Sequence, residues 1–167
     1  MLFRSLPNDT LAQVALANLR QLNDLKYTAD EAEFASRLQP TLVKPQSLDT
    51  LAQVFDTGSE VGKGSTDVGD VSWVVPTAGF TTACYVPGTS AHSWQAVAAG
   101  GTSIGRKGLH LAARTMAASA WDLFQQPNTL AAAKAEQAKR LSGRKYDPLL
   151  LPGQKPPLDY RNSPTAP

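Results

Sequence analysis

A run rich in alanine, glycine and other small residues, from about Thr102 to Phe124, predicts one long helix in the second half of the chain. One face of this helix is lined at helical spacing by Ala112, Met116, Ala120 and Leu123. Small side chains let another backbone approach closely, so the helix is expected to pack tightly against a sheet or a second helix.

Two helices are predicted near the start of the chain. The first can be capped by Asn8 or Asp9, whose side-chain oxygens accept hydrogen bonds from free amides of the first turn. The second begins with a capping box in which Thr28 and Glu31 satisfy each other's backbone amides. It closes at Pro40, because proline cannot continue a helical hydrogen-bond ladder.

A strand is predicted at Gly79–Val86, where β-branched and aromatic residues are concentrated, and Pro87 with Gly88 ends it. A further helix starts at Pro127 and runs to about Leu141, with Gly143 as its cap. Residues 43–64 are expected to be mostly loop. Residues 148–167 are rich in proline and are predicted to form an extended tail that follows a folded region, residues 1–147.

Composition narrows the class of protein. Hydrophobic residues make up 42% of the chain and charged residues 18%, a balance typical of globular proteins. The net charge of +2 comes from scattered charges, which indicates neither nucleic-acid nor membrane binding. Cys84 is the only cysteine, so no internal disulfide can form, and we expect a cytoplasmic protein.

His92 is the strongest candidate for chemistry, because it follows the predicted strand in a loop and imidazole is a preferred zinc ligand. A hydrogen-bonded loop histidine without chemistry is the alternative. Asp67 and Asp70 are three residues apart and can share a face of a short helical turn. That spacing suits metal binding, hydrogen bonding beside a metal ligand, or helix capping by Asp67, Thr66 or Ser65.

Several motifs together resemble a known family. They are Gly64–Trp73, Pro76-Thr77, Gly88–Gln95, Gly101–Ile104 and Lys107-Gly108. They are similar to the co-catalytic zinc aminoacylase and carboxypeptidase family, and in particular to its aminobenzoyl-glutamate utilization B branch. The resemblance covers roughly residues 1–150.

The resemblance implies an α/β fold. The chain would be the helix-rich C-terminal segment of a zinc-peptidase-like catalytic domain, a partial α/β/α sandwich. It also implies that two zinc (or manganese) ions act in the complete enzyme, with His92 as one metal ligand. Thr66, Asp67 and Asp70 would line the cleft, binding substrate or hydrogen-bonding to metal ligands. The implied reaction is hydrolysis of the amide of an N-acyl or aminobenzoyl amino acid.

The sequence lacks two patterns that the resemblance leads us to expect, a His-x-Asp motif and an adjacent Glu-Glu pair. We therefore expect the chain to be inactive alone and to need a missing catalytic half or partner subunit, within an oligomeric complete protein. The alternative is a non-catalytic interaction domain or subunit derived from such a hydrolase.

Overall fold

The computed structural model describes residues 4–58, 66–148, 150, 153–156 and 158. Within these residues the α-helices are, in chain order, α1 (Asp9–Leu22), α2 (Ala29–Leu38), α3 (Val68–Val74), α4 (Trp94–Gly100), α5 (Ser103–Gln125) and α6 (Pro127–Leu141). Two short 3-10 helices lie at Gln39–Thr41 and Leu48–Ala52. None of the described helices is both long enough and apolar enough to cross a membrane.

Helix α5 is the centre of the packing. It makes its most extensive helix contact with α1 and also touches α4 and α6. Its predicted start is confirmed, because the Thr102 hydroxyl accepts a hydrogen bond from the amide of Ile104 at 3.2 Å. Two glycines permit close backbone approach: a Cβ on Gly105 would meet the Gly100 carbonyl, and a Cβ on Gly108 would lie 2.6 Å from the Ala83 carbonyl.

The predicted caps of the first two helices are confirmed. Asn8 accepts a hydrogen bond from the amide of Leu11 at 3.0 Å. Thr28 and Glu31 form the full capping box at the start of α2. Helix α6 begins at Pro127 as predicted, but its C-cap is Ser142 rather than Gly143.

A small apolar core joins α2, the segment before the His92 loop, α4 and the first turn of α5. Its buried members are Ala35, Leu38, Leu42, Val86, Ala99 and Ile104. At the start of α1, the Glu136 carboxylate of α6 accepts hydrogen bonds from the amides of Asp9 and Thr10 at 2.8 and 2.9 Å. The N-terminus of α1 is therefore capped from α6, where a negative charge is favourable.

The predicted strand at Gly79–Val86 is wrong as an element of the described structure. These residues are not assigned to a strand or a helix, and the parts of the chain that the structure describes contain no β-sheet. A strand exists only when another strand pairs with its backbone, and no described segment does so here. The helix-rich character is confirmed, whereas the α/β sandwich is not.

The predicted apolar face of α5 is only partly covered. Ala112 and Leu123 are half-buried, whereas Met116 and Ala120 are exposed, with Met116 62% exposed. The buried face of α5 is instead formed by Ile104, Gly105, Gly108, Leu111 and Thr115. Most of the predicted proline-rich tail lies outside the described residues, as do Gly64 and Ser65.

Candidate functional site

His92 lies in an exposed turn immediately before α4. Its backbone adopts φ +58°, a left-handed conformation that non-glycine residues seldom occupy. The next residue, Ser93, caps α4 by accepting a hydrogen bond from the Ala96 amide at 3.2 Å, and its hydroxyl donates to the Ser90 carbonyl at 2.7 Å. The imidazole is therefore exposed to solvent on a turn whose backbone is fixed at its C-terminal end.

The loop is also fixed where it begins. Gly88 has φ +91°, and a Cβ there would overlap the Lys44 carbonyl, so only glycine fits. The Gln46 amide donates to the Pro87 carbonyl at 3.3 Å. Farther along, the Gln95 side chain donates to the Thr41 carbonyl at 2.9 Å. The His92 loop is thus held against the segment that follows α2.

A buried carboxylate connects α2 to the start of α5. Glu31 accepts hydrogen bonds from Lys107 and Ser103, each at 2.5 Å, and from the Thr28 amide at 2.7 Å. Lys107 also donates to the carbonyl of Lys26 at 2.8 Å. Burial favours a raised pKa for Glu31, but the hydrogen bonds from Lys107, Ser103 and Thr28 outweigh it and lower the pKa to about 2.

Glu31 is therefore ionised at neutral pH and has a structural use. It joins α2 to α5 next to the α4–α5 junction, and α4 is the helix that follows the His92 turn. Ser103 belongs to a Gly-x-Ser-x-Gly pattern typical of serine hydrolases, but here its hydroxyl donates to Glu31. The sequence showed Glu31 only as a capping-box residue.

Thr66, Asp67 and Asp70 lie at the start of α3. The Thr66 hydroxyl accepts a hydrogen bond from the Val68 amide at 3.2 Å, which is the capping role considered from the sequence. Asp67 occupies the N-cap position without a capping hydrogen bond from its side chain. The pKa of the Tyr146 hydroxyl is raised by desolvation and by its charge contact and hydrogen bond with Asp70.

Helix α3 rests on a different support from the His92 loop. The Ser72 hydroxyl accepts a hydrogen bond from the Leu6 amide at 2.8 Å, and Gln137 of α6 donates to the Ser72 carbonyl at 2.9 Å. The Arg144 guanidinium lies 5.0 Å from the centre of the Trp73 ring, within the range of a cation–π contact. Helix α3 is thus held by α6 and the N-terminal segment.

The structure does not join the predicted site residues by contacts. Among the described residues, no hydrogen bond or ion pair links His92 to Thr66, Asp67 or Asp70. No cluster of three or more histidine, cysteine, aspartate or glutamate side chains in the described ranges can hold a metal ion. The residues present do not by themselves fit a two-metal centre, which needs several such ligands.

A groove of about 420 Å³ lies away from His92, between α1, the segment near residue 50 and residues 79–83. Its apolar lining includes Leu16, Leu19, Leu51, Phe55, Phe80 and Leu111. Phe55 is 66% exposed, so the groove opens to solvent at that side chain. Sequence reasoning missed the groove, because its walls come from segments that are distant along the chain.

Comparison with known proteins identifies a curated relative. No family model matches the chain, and no solved structure matches it. The chain is 32% identical to the B subunit of p-aminobenzoyl-glutamate hydrolase from Escherichia coli over 167 aligned positions. The alignment covers 84% of this chain but 35% of the relative, so the chain spans about a third of the length of that relative. By sequence, the chain therefore belongs to the branch of amide hydrolases represented by the B subunit of p-aminobenzoyl-glutamate hydrolase.

Proposed function

We propose that this chain forms part of an amide hydrolase that cleaves aminobenzoyl-glutamate or a related N-acyl amino acid. The observation that carries the proposal is the 32% identity to the B subunit of p-aminobenzoyl-glutamate hydrolase over 84% of the chain. In this reaction water adds across the amide, releasing a carboxylic acid and the amine of the amino acid. The remaining two thirds of the relative's length would supply the rest of the active site.

In this proposal the His92 imidazole is one ligand of a zinc (or manganese) ion, and the other ligands come from outside the described residues. Two features support that role. The imidazole is exposed on a turn fixed at both ends, at Gly88 and Ser93. Its left-handed backbone is a strained conformation of the kind often found at functional sites. When bound, such an ion supplies an activated water at neutral pH.

Thr66, Asp67 and Asp70 would shape the substrate cleft or hydrogen-bond to groups near the metal. Asp67 is the best placed of the three, because it is exposed and its side chain makes no capping hydrogen bond. Asp70 contacts Tyr146, so its role would be to position the Tyr146 hydroxyl.

A second candidate function is that of a non-catalytic interaction domain. It is favoured by large apolar side chains exposed on α5, among them Leu109, Met116, Trp121 and Phe124, which are 62 to 85% exposed. Large exposed apolar patches mark association sites in soluble proteins. An interaction domain would bind its partner without any dependence on His92.

The test is complementation. The chain would be co-expressed with the part of the Escherichia coli relative that lies outside the matched region, and release of p-aminobenzoate from p-aminobenzoyl-glutamate would be measured. We expect activity in the mixture, none from the chain alone, and loss of activity when metal is chelated. The variant His92→Ala should reduce the rate at least about a hundredfold, because a metal ligand is lost.

The matched control is His110→Ala, since His110 is the only other histidine and is likewise exposed. It should keep the rate within about twofold, as surface substitutions away from a site have small effects. An assembled complex without activity would contradict the hydrolase proposal and favour the interaction domain. Equal rates for His92→Ala and the unsubstituted chain would contradict the role of His92.

A further inference from the structure

The segment Gly79–Ala83 has the composition of a strand, and its backbone amides lack hydrogen-bond partners within the described structure, although the Thr82 carbonyl accepts from the Cys84 amide at 2.9 Å. None of the amides from Gly79 to Ala83 donates a hydrogen bond to any atom of the described residues. Thr81 is exposed and Phe80 is half-buried. Unpaired strand edges of this kind are templates for pairing with another strand.

The other side of the same segment is fixed to α5. The Thr82 hydroxyl donates to the Gly108 carbonyl at 2.9 Å, and Gly108 has no side chain to keep the Ala83 backbone away. Slightly farther on, the Tyr27 hydroxyl donates to the Tyr85 carbonyl at 3.2 Å. The segment is therefore held in place before any partner arrives, which reduces the ordering that binding requires.

An uncovered apolar stripe on α5 begins beside this segment. The stripe consists of Leu109, Ala113, Met116, Ala120 and Phe124, which share one face at helical spacing. All five are exposed, and none is charged. Leu109 directly follows Gly108, the residue that contacts the segment, so the stripe begins one residue after that contact.

We propose that the unpaired segment and the α5 stripe form one docking surface, and that its occupant is a β-strand edge of a partner chain whose sheet covers the stripe. The interior of a helix cannot accept from the free amides of this segment, because its own carbonyls already accept from its own amides. An added strand can, and its side chains then contact the neighbouring apolar surface. The identity of the partner rests on the proposed function. The partner would be the part of the complete hydrolase that corresponds to the two thirds of the relative outside this chain.

The test is retention of the full 167-residue chain by a tagged form of the uncovered part of the Escherichia coli relative, co-expressed with it. We expect stoichiometric retention of the unsubstituted chain. Thr81→Pro removes one unpaired amide and should reduce retention about tenfold, whereas Thr81→Ala keeps the amide and should not. Met116→Lys places a charge in the stripe and should also reduce retention about tenfold.

The control for Met116→Lys is Val43→Lys, because Val43 is 85% exposed on a loop outside the surface. Far-ultraviolet circular dichroism would verify that every variant chain keeps its helices. No retention of the unsubstituted chain overturns the proposal, as does retention that Thr81→Pro and Met116→Lys leave unchanged. The proposal is also overturned if the chain associates with itself and both Thr81→Pro and Met116→Lys abolish that association, because the occupant would then be a second copy of the chain.

Retention does not need catalysis, so the two proposals can fail separately. His92→Ala should leave retention unchanged while abolishing hydrolysis. A retained but inactive complex would overturn the proposed function alone. An active complex that tolerates Thr81→Pro and Met116→Lys would overturn the docking surface alone.

Discussion

Replacement of Glu31 by glutamine should destabilise the protein by about 2 kcal/mol at neutral pH. The carboxylate pKa is lowered from 4.5 to about 2, and each pKa unit corresponds to about 1.4 kcal/mol of stability. The whole shift would therefore contribute about 3 kcal/mol to the free energy of unfolding. Lys107 is about a third exposed, so solvent weakens the pair, and the expected loss is smaller. Glu31 itself is 6% exposed, which keeps the effect well above that of a surface ion pair.

The pH dependence has a definite sign. The folded pKa of Glu31 lies below its unfolded value, so its contribution is fully present above pH 4.5 and is lost as the pH falls toward 2. Glu136 has a similarly lowered pKa of about 2, because hydrogen bonds from Thr10, Asp9 and Arg140 outweigh the effect of its burial. Glu31→Gln should therefore reduce, but not abolish, the loss of stability in acid.

The assay is urea unfolding followed by far-ultraviolet circular dichroism, at neutral pH and at several acidic pH values. Glu33→Gln is the matched control. Glu33 lies on the same helix but is 69% exposed, and its ion pair with Arg37 is long, at 3.9 Å. It should cost less than about 0.5 kcal/mol. Equal losses from the two variants, with identical pH dependence, would refute the assigned role of the buried pair.

Three further substitutions test other parts of the structure by the same unfolding assay. Gly108→Ala should lower the free energy of unfolding by about 2 kcal/mol, because the added methyl would lie 2.6 Å from the Ala83 carbonyl oxygen. Its control is Gly79→Ala, which should cost less than about 0.5 kcal/mol because a methyl there meets nothing within 4 Å. Glu136→Gln should cost about 1 to 2 kcal/mol, because it weakens the capping of α1, and a loss no larger than that of Glu33→Gln would contradict this. His92→Gly should stabilise the chain by about 1 kcal/mol while abolishing complemented hydrolysis, and a destabilised variant would show that the left-handed backbone is not strained.

Local signals in the sequence predicted the helices well. Capping depends on residues within one turn, so the sequence alone could identify the pair Thr28 and Glu31 and could narrow the first cap to Asn8 or Asp9. The contact between Glu31 and Lys107 could not, because 76 residues separate them. Helix α4 was missed, although Ser93 is a favourable N-cap residue, because the short segment ends in two glycines.

The candidate site was harder to predict for a different reason. A metal centre collects ligands from distant parts of a sequence, and this chain carries two histidines and no described cluster of three ligands. Sequence reasoning could select His92 from its loop and from the resemblance. It could not show the left-handed backbone of that residue, or that the His92 loop and α3 are held by different elements.

The wrong strand and the partly exposed face of α5 have related physical explanations. β-Propensity at Gly79–Val86 describes how side chains fit a pleated sheet, and it cannot by itself supply the second strand that a sheet requires. The apolar spacing of Met116 and Ala120 likewise describes a face suited to burial, and both residues are exposed in the described structure. The predicted strand contacts α5 at Gly108, and Met116 and Ala120 lie farther along the same helix, so both features belong to one part of the fold. Their shared location indicates a sequence suited to assembly with a β-sheet from outside the described residues.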